Sequence, residues 1–87
     1  MFLMRAKYTP AAGADREHGQ GAIERLELAH REIEQNHWLI AAPDDSIPNW
    51  TSRLKAALPK GTGTFEVSAA SHEECEKVRA GEIQLQQ

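Results

Sequence analysis

Residues 30–37 read His30-Arg31-Glu32-Ile33-Glu34-Gln35-Asn36-His37, HREIEQNH, and their conformation decides what stands between the first strand and the second. Taken as the end of a helix, the stretch prolongs an apolar stripe that begins upstream. Ala22, Ile23, Leu26, Ala29, His30, Ile33 and His37 fall on one side of a wheel turning by about 100° per residue. Glu27 precedes Arg31 by four residues, the favourable sense for a helix-surface ion pair. The spacing therefore predicts a helix over 22–36, with Asn36 as its stop. Leu28 then falls on the opposite, polar face, among Glu24, Arg31, Glu32 and Gln35.

The flanking sequence reads more simply. In residues 2–8, Phe2, Met4, Ala6 and Tyr8 alternate with Leu3, Arg5 and Lys7, the pattern of a half-buried strand. Residues 9–21, TPAAGADREHGQG, hold one Pro and three Gly with little apolar content, and are expected to form a long flexible loop. HWLIAA (37–42) is apolar almost throughout, as in a strand covered on both sides. Pro43 to Ser46 end that strand and supply caps for a helix over Ile47–Leu58, with Pro48 in its first turn and Pro59 and Gly61 beyond its end. Its buried stripe would be Ile47, Trp50, Leu54, Ala57 and Leu58. TFEVSAA (64–70) alternates again. Ser71 and Glu74 form a capping-box pattern opening a short helix that Gly81 closes, and EIQL (82–85) reads as a short last strand.

The predicted order is β-α-β-α-β-α-β, which makes one small α/β domain over 1–87, with an α+β arrangement as the variant. A two-layer sandwich is expected, with one mixed sheet of about four strands and helices mostly on one face.

Composition narrows the function classes. The chain has 40 % hydrophobic and 26 % charged residues, which suits a folded domain and not a disordered one. A net charge of −3, with acids and bases interleaved, leaves no basic patch for nucleic acid. No apolar run is long enough to span a bilayer, and the N-terminus lacks a signal-peptide core. The single cysteine, Cys75, allows no internal disulfide, so a cytoplasmic setting is expected.

Three constellations could carry chemistry. On the predicted helix, His30, Glu34 and His37 would line one side, and two imidazoles with a carboxylate can hold a divalent metal. The carboxylate-bridged bundles that use Glu-x-x-His need it on two helices, and here it occurs once. We therefore read the three as the wet margin of a buried face and expect neither metal nor cofactor. His72 and Cys75 lie three apart, yet Glu73, Glu74 and Glu76 around the thiol oppose a thiolate, so Cys75 reads as a buried structural residue. Gly19-Gln20-Gly21 precedes a helix as phosphate-binding glycines do, but a carboxylate, Glu24, stands where the dinucleotide motif requires a small residue.

Trp38 and Trp50 fit the core. Leu28, ringed by Glu24, Arg31 and Glu32, has instead the layout of a small interface: an apolar centre with a charged rim. Residues 65–83, FEVSAASHEECEKVRAGEI, resemble a strand–helix–strand pattern recurrent in small bacterial and phage proteins, and the resemblance implies no activity. The reading that follows is a non-catalytic protein-interaction module. It would be an accessory or inhibitor protein, of the kind found in mobile elements and phages, that binds another protein or itself as a homodimer. The alternative is a small oligomeric enzyme or a ligand- or metal-binding protein whose site lies between subunits.

Overall fold

A computed structural model describes residues 1–87. Its first strand, β1 (Phe2–Pro10), follows the alternation of its sequence: Met4, Ala6 and Tyr8 are buried, while Lys7 between them is exposed. Helix α1 (Glu17–Arg25) comes next, then strands β2 (His30–Glu34) and β3 (His37–Ala42), helix α2 (Ile47–Ala57), strand β4 (Gly63–Ala69) and helix α3 (His72–Arg79). The strands form one sheet in the order β2-β3-β1-β4. Every neighbouring pair is antiparallel, so the expected mixed sheet is corrected to a fully antiparallel one. The reason is topological. α1 carries the chain from β1 to the sheet edge, and β3 turns back to lie between β1 and β2. A β-α-β-β-α-β order threaded in this way is the split βαβ, or ferredoxin-like, arrangement, here followed by α3.

The largest departure from expectation lies at residues 22–36. α1 begins at Glu17, inside the segment expected to be a loop, and ends at Arg25. Leu26 caps it, and Glu27 takes a left-handed conformation (φ 56°) that a continuing helix does not allow. Residues 30–34 are extended, and a turn with Asn36 at φ 64° joins them to β3 as a hairpin. Ala22, Ile23 and Leu26 are buried as the helical stripe predicts, but the stripe's continuation through His30 and Ile33 is accidental.

Two helices cover one face of the sheet. Met4, Ala6 and Tyr8 of β1, Trp38 and Ile40 of β3 and Phe65 of β4 share that face and pack with Ile23 and Leu26 from the α1 side and Trp50 and Leu54 of α2. Burying each large apolar side chain contributes about 1.5–3 kcal/mol before conformational entropy is set against it. Tyr8 lies 5.2 Å from the Phe65 ring, and Phe65 lies 6.2 Å from Trp38. Both tryptophans are core residues, as expected, and both have partners. Trp38 Nε1 donates to Gln20 Oε1 (3.3 Å), and Trp50 Nε1 donates to Asp44 Oδ1 (3.0 Å).

The alternate residues of β1 and β3 point to the reverse face. There Arg5 donates to Glu74 of α3 at 2.8 Å, and Leu39 and Ala41 are closed off from solvent. β3 is thus covered on both sides, as HWLIAA predicts. α3 is the one helix reached from this face, and its capping box forms as expected: Glu74 N–H donates to Ser71 Oγ, and Ser71 N–H donates to Glu74 Oε1. Residues 82–85 are not a strand. A single bridge joins Gln86 to His30, with N–H to O distances of 2.9 and 3.0 Å, and lays the C-terminal tail along the outer edge of β2.

Candidate functional site

A broad, open hollow lies beside the β2 edge of the sheet. The end of α1, the connection Leu26–Ala29, β2 and the tail enclose an open groove of about 780 Å³. Leu28 and Trp38 supply its apolar lining, and Glu24, Glu27 and Glu32 its acidic rim, with Arg31 as the cation. All four residues expected at an interface, Glu24, Leu28, Arg31 and Glu32, line this one groove. They reach it by another route than the one expected. They are not one helix face: Glu24 comes from α1, Leu28 from the connection, and Arg31 and Glu32 from β2. Leu28 is also not an exposed centre; it is half-buried and packs against the core, so the apolar floor is part of the fold.

A chain of side chains holds the groove's inner wall. Gln20 accepts from Trp38 Nε1 and donates through Nε2 to Glu24 Oε1 at 2.9 Å. His30 Nδ1 stands 2.8 Å from the carbonyl oxygen of Leu28. Because a carbonyl only accepts, Nδ1 carries a proton and donates it. Gln87 Nε2 donates to the Glu27 carbonyl at 2.8 Å and pins the tail to the far wall. Gln20, Glu27, Gln86 and Gln87 join the groove without having been anticipated. Gln20 and Glu24 are spaced i, i+4, a signal that becomes visible only once α1 is known to start at Glu17. The tail glutamines gave no signal.

His30, Glu34 and His37 do not converge. His30 pairs across from Ile40 and so shares the core-facing side, whereas Glu34 and His37 pair with each other beyond a register shift and lie with Arg5 on the reverse face. No three His, Cys, Asp or Glu side chains are grouped to hold a metal ion. On the reverse face the Arg5 guanidinium reaches Glu74 at 2.8 Å, Glu34 at 3.4 Å and His37 Nδ1 at 3.1 Å. Arginine has no acceptor atom, so His37 Nδ1 accepts and its proton sits on Nε2. One oxygen of Glu74 caps α3 while the other holds Arg5. An open cleft of about 530 Å³ lies beside this cluster, and the Arg5–Glu74 pair on its wall ties α3 to the sheet.

Cys75 is half-buried and not fully buried as expected, His72 is exposed, and no hydrogen bond joins them. Gly19 and Gly21 lie within α1, so they form no phosphate-binding turn. No helix is long and apolar enough to cross a membrane.

The fold and groove define a small antiparallel α+β protein of the split βαβ arrangement, with an acidic groove beside its β2 edge. No protein-family model, curated protein or solved structure matches the chain.

Proposed function

We propose that the protein is a non-catalytic binding module whose groove beside β2 receives a basic segment of another protein. One observation carries the reading: half-buried Leu28, backed by the core residue Trp38, forms an apolar floor within a rim holding Glu24, Glu27 and Glu32 against the single arginine, Arg31. An apolar centre inside a charged border is the layout of a protein interface, and the excess of carboxylates selects a cationic partner and steers its approach. The split βαβ arrangement hosts many activities, so the fold itself adds nothing to this choice.

The experiment is affinity capture from the source cell with tagged wild-type protein and with a Glu24→Gln/Glu32→Gln variant. Both residues are exposed, and glutamine keeps the acceptor oxygens that Gln20 Nε2 and the Asn36 N–H use, so the exchange removes charge and should leave the fold unchanged by circular dichroism. A partner retained by wild type, released as salt is raised and lost by the variant supports the reading. Equal capture by both proteins would sink it.

A further inference from the structure

The two edges of the sheet are treated differently. β2 has a register shift between Glu32 and Glu34, four charged or ionisable residues among its five, and the tail bridged to its outer side through Gln86. Bulges, charges and a covering segment are the devices by which sheets prevent edge pairing. β4, at the other edge, has neither a bulge nor a bridged covering segment, and a single charge. Over Gly63–Ala69 it carries no Pro and no register shift, and that charge is Glu66.

The hydrogen-bond phase shows what β4 offers. Ala70 N–H donates to Leu3 C=O and Ala11 N–H to Thr62 C=O, so in the alternating ladder Thr64, Glu66 and Ser68 spend their backbone groups on β1. Phe65, Val67 and Ala69 therefore turn their N–H and C=O groups outward, away from the sheet. We propose that this edge binds β4 of a second copy of the chain, antiparallel and two-fold, with Val67 opposite Val67, so that two sheets become one of eight strands.

The second copy is favoured because the edge is complementary to itself in this register. A two-fold axis at Val67 sets Phe65 against Ala69 of the other copy, and up to about six backbone hydrogen bonds form from groups that now face solvent. The same axis sets each Glu66 opposite Ser68 of the other copy, a hydroxyl donor facing a carboxylate. Sliding by one pleat instead brings Glu66 against Glu66, which like-charge repulsion disfavours. On the core-facing side, half-buried Val67 would meet its own copy and exposed Ala69 would be covered. The β2 groove lies at the opposite edge, so the dimer displays two open grooves rather than sharing one.

Sedimentation equilibrium across the micromolar range tests the pairing, with a mass of about twice the 9.7 kDa chain expected on two-fold assembly. Val67→Pro removes an outward N–H that the β1 ladder does not use, and it should give a folded monomer. Ser68→Lys should tighten the dimer and Ser68→Glu weaken it, each by roughly fivefold or more over two symmetric pairs. These two exposed substitutions keep the test valid even if the proline variant does not fold. A wild-type monomer throughout, a Val67→Pro dimer, or equal effects of Lys and Glu at residue 68 would each overturn the proposal. Loss of pairing with capture by the β2 groove intact would leave the proposed function standing.

Discussion

Tyr8 lies between two glycines: Gly19 is glycine for the sake of its ring, and Gly63 for its own left-handed backbone and the close Thr9 carbonyl as well. A Cβ on Gly19 would strike the Tyr8 ring within α1, and one on Gly63 would meet the same ring and the carbonyl of Thr9. The tyrosine is 2 % exposed, and its hydroxyl donates to the Thr62 carbonyl at 2.6 Å. Gly19→Ala is therefore expected to destabilise the protein by about 1–3 kcal/mol through overpacking, although alanine is the better helix former. Urea denaturation checks it, and an unchanged midpoint would mean that Tyr8 can move aside. Glu27 makes the converse case. Its left-handed backbone disfavours any L side chain, so Glu27→Gly should stabilise by about 0.5–1 kcal/mol after allowing for the freer unfolded chain. Neither role was legible beforehand. A glycine required by a ring distant in sequence looks like a loop glycine, and a left-handed glutamate carries no signature at all.

Among the elements, those with a one-sided or two-sided apolar pattern were readable within a residue or two: β1, β3, α2, β4 and α3. The capping box at α3 was visible letter for letter, because its geometry depends on residues three apart and on nothing else. Ser71→Ala should cost about 0.5–2 kcal/mol by freeing the Glu74 N–H. Glu74→Ala should cost more than Ser71→Ala, since that carboxylate also holds half-buried Arg5; chemical denaturation of the two variants gives the order. β2 was unreadable for a physical reason. Three of its five residues are exposed and two half-buried, so no alternation marks it as a strand. What fixes it is pairing with β3 and the tail. Deleting residues 84–87 should accordingly speed amide hydrogen exchange at His30, whose N–H donates to Gln86, while the ladder between β1 and β4 keeps its protection.

For the molecule as a whole, the position of β2 decides which side chains can act together. The hairpin sends His30 to one side of the sheet and Glu34 with His37 to the other. Dialysis against a strong chelator should therefore leave the thermal midpoint unchanged, and a drop reversed by zinc would show that these residues find a metal in some other arrangement. By itself, the sequence determined three of the four strands (β1, β3 and β4), helices mostly on one face, the inward positions of β1, the core tryptophans and the capping box of α3. Each of these follows from periodicity or from contacts a few residues apart. It also assembled Glu24, Leu28, Arg31 and Glu32 as one surface, on the mistaken ground that a helix joined them. Tertiary structure alone decided where α1 stops, that residues 30–34 are a strand, that the tail covers β2 and that β4 is left open. Those outcomes depend on pairing between segments far apart in the chain, and a single segment's pattern holds no record of the partner that will satisfy its backbone.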